Sequence, residues 1–283
     1  MTITHISDTA HWVAMYRAME SERPDALFRD PFARRLAGAR GEAILRTLPK
    51  GRRMAWPMIV RTAVMDEVIL RAITRDRVRL VINLAAGLDT RPYRLSLPRD
   101  LRWLDVDFPD IQAYKREAIG GEAPHCALEY VAADLADAAA RRALLDRVAT
   151  SPAPALAITE GLLVYLSSDQ VAALADDLHS CAPLRWWLTD LASPRLLRML
   201  KRTWGRTLDD AGTPLRFGPA EGTAFFVAHG WREAEFRSMW EEALRLGRTM
   251  RFAGLWNLLG RLYPARMREE FRRMSGIVLL ERT

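Results

Sequence analysis

Four acidic residues stand where short apolar runs give way to small or polar residues. They are Asp105 and Asp107 in Trp103-Leu104-Asp105-Val106-Asp107, Asp134 in Ala132-Ala133-Asp134-Leu135, and Glu160 in Thr159-Glu160-Gly161. A further run, 78–84, enters the small-residue turn Ala85-Ala86-Gly87-Leu88-Asp89-Thr90. Small residues let backbone approach a ligand closely. Asp107 falls about 20 residues after that turn, where a carboxylate accepts from both hydroxyls of a ribose. Two charge-assisted hydrogen bonds of that kind are worth about 1.5–3 kcal/mol each. Asp107 is also placed to cap a helix beginning at Phe108-Pro109, and Asp105, on the same strand face, is a rival for the ribose. Asp134 suits an adenine amino group or the N-cap of a helix over 136–149. Glu160 lies between two apolar runs; burying it without a partner is expensive, so it is expected to face a site.

The elements that carry these residues alternate. Runs at 78–84, 102–106, 128–132, 155–159 and 184–189 read as strands, and 110–119, 136–149, 169–181 and 194–204 as the helices between them. Helical spacing also marks 9–20 and 57–73, with turns at Asp30-Pro31 and Pro49-Lys50-Gly51. A tail strand is expected at 276–281. Alternation implies a parallel sheet with right-handed crossovers, and ligands then sit beyond the strands' carboxyl ends where strand order reverses. Residues 203–236 break the rhythm. Trp204, Phe225, Phe226, His229 and Trp231 crowd among Gly205, Gly212, Pro214, Gly218 and Pro219, as in a substrate lid or an ordinary loop with its own small core.

Composition narrows the classes. The 283 residues are 49% hydrophobic and 27% charged, as in a globular protein. No apolar run approaches the roughly 20 residues of a membrane span, and no secretory signal is expected from the opening residues. The chain is expected in the cytoplasm, with no membrane partner. Cys126 and Cys181 form no Cys-x-x-Cys pair, and no metal is expected. The net charge of +7 comes almost wholly from arginine, since Lys50, Lys115 and Lys201 are the only lysines. Those arginines are scattered among alanines and acids, so no nucleic-acid partner is expected. Gly87 is the single glycine of its turn, which argues against the Gly-x-Gly-x-x-Gly fingerprint of a nicotinamide dehydrogenase.

Several motifs together resemble the leucine carboxyl methyltransferase superfamily, particularly its bacterial branch. They are Arg17-Ala18-Met19-Glu20-Ser21-Glu22, Ala26-Leu27-Phe28-Arg29-Asp30-Pro31-Phe32-Ala33, Arg61-Thr62, the turn from Asn83 to Arg91, Asp105-Val106-Asp107-Phe108-Pro109, Asp134-Leu135, and Glu160-Gly161 through Tyr165-Leu166. The resemblance covers about residues 10–170. It implies one α/β domain over 1–283, a doubly wound, mostly parallel, seven-stranded sheet. An N-terminal helical section would occupy 1–75, and 203–236 would be an inserted lid. It implies S-adenosylmethionine as cofactor and an O-methyl transfer to a small molecule, a carboxylate or a hydroxyl. By the same resemblance Arg61 would pair with the cofactor carboxylate and the turn at Ala85 and Gly87 would pass beneath it. Asp107 would hold the ribose, Asp134 and Leu135 would flank the adenine, and Glu160 would lie near the methionine amino group. Arg29 matches a basic position sometimes near the cofactor.

Two positions depart from the family pattern. Its turn usually begins with glycine where this chain has Ala85, and a positive φ there would cost about 1 kcal/mol. Asp105 stands where glutamate is frequent. A carboxylate acceptor is ionised at neutral pH and needs no base, whereas a phenol usually would. His5, His11, His125, His179 and His229 share no motif. Tyr165 and His229 are the candidate catalytic side chains, and Arg206 or Arg216 the candidate anchors for an anionic acceptor. A nucleic-acid methyltransferase and a scaffold that kept the fold without the cofactor are the alternatives.

Overall fold

A computed structural model describes residues 7–47, 51–210, 212–250, 253–260 and 262–283. Three helices come first: α1 (Ser7–Ser21), α2 (Ala33–Thr47) and α3 (Ala55–Thr74). The turn expected at 49–51 begins outside the described residues. The alternating body follows as β1 (Leu80–Leu84), α4 (Arg91–Arg94), β2 (Arg102–Asp107), α5 (Pro109–Ile119), β3 (Ala127–Ala132), α6 (Ala138–Ala149), β4 (Ala155–Thr159), α7 (Ser168–Ser180) and β5 (Leu184–Ala192). The chain then runs through α8 (Pro194–Asp210), β6 (Trp231–Ser238), α9 (Met239–Arg245), α10 (Ala253–Gly260), α11 (Ala265–Arg272) and β7 (Ser275–Arg282).

The seven strands form one sheet in the order β3-β2-β1-β4-β5-β7-β6. β1 to β5 are parallel, and β7 runs antiparallel between β5 and β6. β1 and β4 are buried along their whole length, which is why both read as unbroken apolar runs. Their residues alternate between two cores: Leu80, Ile82 and Leu84 pack toward α6 and α7, while Val81 and Ile158 pack toward α3 and α9. Strand order reverses between β1 and β4, so the crevice at their carboxyl ends is where a ligand fits.

The region 203–236 departs from expectation. Residues 203–210 complete α8, and β6 joins the sheet on β7. β6 carries Arg232, Glu233, Glu235 and Arg237 and is interrupted by a register shift between Glu233 and Glu235. An edge strand that faces water on one side needs no continuous apolar run, so it lacks the sequence signal of the central strands. Several aromatics of this region fill the core. Phe226 and Trp231 are fully buried, with ring centroids 5.2 and 5.8 Å from that of Trp187 on β5 in edge-to-face contact, a favoured geometry for aromatic pairs.

Candidate functional site

A cavity of about 1680 Å³ opens over the carboxyl ends of the parallel strands. Its floor is the turn after β1, the end of β2, residues 133–136 after β3, the segment after β4, and Asp190 on β5. α1 and the start of α3 form one wall, with Trp12, Val13, Trp56 and Met58. α8, α10 and α11 form another, with Met199, Leu200, Trp256 and Tyr263.

The turn after β1 is unusual. Ala85 has φ +55°, a left-handed backbone that glycine adopts freely and alanine does not. Gly87 has φ +50°, and a side-chain carbon there would come within 3.2 Å of Ala10. The Gly87 N–H donates to Asp107 Oδ2 at 2.6 Å, and the Phe108 N–H to Asp107 Oδ1 at 2.7 Å. Phe108 is the N-cap of α5 by position, so Asp107 does not cap that helix. Its carboxylate borders the cavity, and burial pushes its pKa above the usual range in spite of these two donors.

Asp105, two residues earlier, does not reach the cavity. It is 1% exposed and held by Lys115 Nζ at 2.5 Å and Trp103 Nε1 at 2.8 Å. Burial raises its pKa even with Lys115 beside it. Asp105 is a core ion pair with α5, and of the two acids it is Asp107 that borders the cavity. Asp134 borders the cavity and accepts from the Ala136 N–H at 2.8 Å. The cap of α6 is Asp137, which accepts from Ala139. Leu135 borders the cavity beside Asp134.

At the other end of the floor, charges are chained. Arg61 Nε donates to Glu160 Oε1 at 3.0 Å and its Nη1 to Asp190 Oδ2 at 3.3 Å. Arg91 Nη1 donates to Glu160 Oε2 at 2.7 Å and to Asp89 Oδ2 at 2.6 Å, while its Nε donates to Asp66 Oδ1 at 2.6 Å. Asp190 Oδ1 also accepts the Gly161 N–H at 2.6 Å. Gly161 has φ +66°, and a side-chain carbon there would stand 3.0 Å from Arg61 Nη1. Burial would raise the Glu160 carboxyl, but Arg91 and Arg61 outweigh it and hold the pKa below the usual value. The same contest, won by Arg91, Lys115 and Arg94, holds Asp89 far lower.

Arg61, Ala85, Gly87, Asp107, Asp134, Leu135 and Glu160 thus all border one cavity, and so does Tyr165. Burial raises the Tyr165 hydroxyl above its ordinary pKa, so it is a hydrogen-bond donor and a poor base. Other candidates lie elsewhere. His229 is outside the cavity lining, its Nδ1 2.7 Å from Asp176 Oδ1. Arg29 is exposed and donates to the Ser21 carbonyl. Arg216 is exposed and outside the lining, and the Arg206 side chain is outside the described residues. Of 203–236, Thr203, Trp204, Leu215 and Phe217 reach the cavity, whereas Phe225 and Phe226 do not. Asp190, Arg91 and Asp89 escape a reading confined to four strand ends. Asp190 was open to the same rule, since it follows the apolar run of β5.

Comparisons with known proteins bear on the family and the fold. A family model described as leucine carboxyl methyltransferase matches residues 10–179. A protein of Parafrankia sp. (strain EAN1pec), named a putative S-adenosyl-L-methionine-dependent methyltransferase, is 35% identical over 248 residues, or 82% of this chain and 79% of its own. A Streptomyces coelicolor protein of the same description is 33% identical over 258 residues, covering 86% and 88%. Among solved structures, a DUF574 family protein from Streptomyces avermitilis superposes with a TM-score of 0.59 at 13% identity, covering 96% of this chain and 97% of its own. One from Thermobifida fusca, titled a putative methyltransferase, gives 0.58 at 15%, covering 99% and 95%. At those identities the two structures speak for the fold alone. The family match spans more than half of the sequence, and the chain belongs to the leucine carboxyl methyltransferase family, as an S-adenosylmethionine-dependent methyltransferase.

Proposed function

We propose that the protein methylates a carboxylate oxygen of a small molecule with a large apolar body. The donor set of the cavity fits the cofactor: a carboxylate at the end of β2, an arginine beside two acids at the ends of β4 and β5, and small residues between them. One buried donor is still unspent, because Arg91 Nη2 has no partner among the described residues. In this reading Asp107 holds the ribose hydroxyls, and Asp134 and Leu135 flank the adenine. Arg61 meets the carboxylate of the methionine part and Glu160 its amino group. Ala85 and Gly87 let the backbone pass close beneath. The cofactor, when bound, supplies a methyl group on a sulfonium whose positive charge already activates the leaving group.

The protein's part is then alignment and exclusion of water. The observation that favours this acceptor class is that no histidine lines the cavity among the described residues. A carboxylate acceptor is ionised at neutral pH and needs no base. The walls of tryptophan, methionine and leucine suit an apolar body. Arg268, exposed on α11 at the cavity's border and without an acidic partner among the described residues, can draw an anion toward the entrance.

The test is methyl transfer from labelled S-adenosylmethionine to paired acceptors, each an aromatic or long-chain carboxylic acid beside the matching phenol or alcohol. An alkali-labile methyl ester from the acids, with little product from their partners, is expected. Alkali-stable products from the phenols alone would overturn the carboxylate reading.

A further inference from the structure

α8 carries Arg195, Arg198, Lys201 and Arg202, all exposed. Their spacing of three, six and seven residues sets them along one side of the helix. None has an acidic partner among the described residues. Beside this row, α10 holds no charged residue, and the α10–α11 segment leaves Leu255, Trp256, Leu258, Leu259, Leu262 and Tyr263 exposed, Leu262 to 80%. The two features adjoin. Arg195 lies over the Phe271 ring of α11 at 4.7 Å, and Phe271 stacks on Tyr263 with centroids 5.7 Å apart. Trp256 and Tyr263 also border the cavity.

We propose that this face docks on an anionic lipid surface, with the cavity opening toward the bilayer. A cationic row beside an uncharged, Trp-, Tyr- and Leu-bearing helix is the chemistry of a segment that lies in a headgroup layer. The cations supply long-range attraction to acidic lipids, and the apolar side chains supply burial at the acyl boundary. A second copy of the chain fits the face less well. A two-fold contact through it would set the cationic row of one copy near that of the other. Among the described residues no helix is long and apolar enough to cross a membrane, so the contact is peripheral. The sequence-based expectation of no membrane partner rested on the missing span, which says nothing of a surface contact.

Sedimentation with vesicles tests this, using phosphatidylglycerol mixed equally with phosphatidylcholine against phosphatidylcholine alone. The wild-type protein is expected to sediment with the anionic vesicles at low salt and to be released as salt rises. Arg198→Gln, Lys201→Gln and Arg202→Gln together should weaken that binding at least about thirty-fold. Leu258→Ser with Leu262→Ser should weaken it separately. None of these five residues lines the cavity, so melting temperature and cofactor affinity should be unchanged. If the serine variant fails to fold, the glutamine variant and the wild-type salt titration still decide. No binding to anionic vesicles at low salt, or equal binding by the glutamine variant, overturns the proposal. So does light scattering that shows a dimer dispersed by the serine substitutions, which would assign the face to self-association.

Discussion

Asp105 and Asp107 lie two positions apart on one strand and do opposite work. Lys115 reaches Asp105 at 2.5 Å in the core, whereas Asp107 spends its oxygens on the N–H groups of Gly87 and Phe108 at the cavity's edge. The two backbone donors fix the second carboxylate at the cavity's border, and the lysine holds the first in the core.

Substitution separates these roles. Asp107→Ala should weaken S-adenosylhomocysteine binding by about 2–3 kcal/mol in calorimetric titration, with a modest change in melting temperature. Asp105→Ala should instead destabilise the fold by about 3–5 kcal/mol, because it strands a buried ammonium. Unchanged cofactor affinity in the first variant would remove Asp107 from the ribose role.

The backbone at Ala85 carries the cost of a left-handed alanine. Ala85→Gly should raise stability by about 0.5–1 kcal/mol, read by chemical denaturation. Cofactor affinity should hold or rise as a methyl group leaves the cavity floor. A destabilised glycine variant would show that the turn relaxes to suit alanine. Failure of both forms to bind S-adenosylhomocysteine would favour a scaffold over an enzyme.

Acid should uncouple the charged floor. Asp89 and Glu160 on the floor, and Asp30 beside Arg17, have carboxyl pKa values held below their ordinary range: Arg91 with Lys115, Arg91 with Arg61, and Arg17 with Thr90 outweigh burial. Their stabilisation is complete above the unfolded pKa of about 4 and is lost as pH falls through the lower folded values. Asp105 and Asp107 run the other way: burial raises their pKa values, so their cost is full at neutral pH and shrinks on acidification. As the three lowered carboxyls take up protons their ion pairs are lost, and the melting temperature should drop below about pH 4. Arg61→Gln removes one of the two arginines facing Glu160 and should move that drop to higher pH. Superimposable profiles would mean that Arg61 does not hold Glu160 in its charged form.

The aromatic residues near β6 make a contrasting pair with the site. Phe226→Ala should cost about 3–5 kcal/mol of stability, since the ring is fully buried against Trp187. His229→Ala should leave methyl transfer unchanged, because the imidazole pairs with Asp176 outside the cavity. A large loss of turnover at constant stability in the histidine variant would return it to the list of bases.

Much of the floor was legible in the sequence because the central strands are buried on both faces. Such strands spell themselves as short apolar runs, and the residues that follow them fall at the ligand crevice. β6 was not legible, because an edge strand beside water keeps its charges. The segment 203–236 left two readings open for a different reason: aromatic residues among glycines and prolines look alike whether they cover a ligand or fill a core. Asp105 stayed a rival to Asp107 because alternation puts both on the same face. Lys115, brought in by α5, and Trp103 hold Asp105 in the core and distinguish the two.

The charged, register-shifted β6 also governs how copies of this chain behave when crowded. Its outer side is one of the two open edges of the sheet, and an edge with regular spacing invites another strand to add. The shift between Glu233 and Glu235 breaks that spacing, and Arg232 and Arg237 place charge along it. At the opposite edge, β3 presents Glu129, exposed and paired with Arg147. Both borders thus discourage lateral growth into fibrils or strand-swapped polymers, and concentrated solutions of the folded protein should stay free of cross-β material.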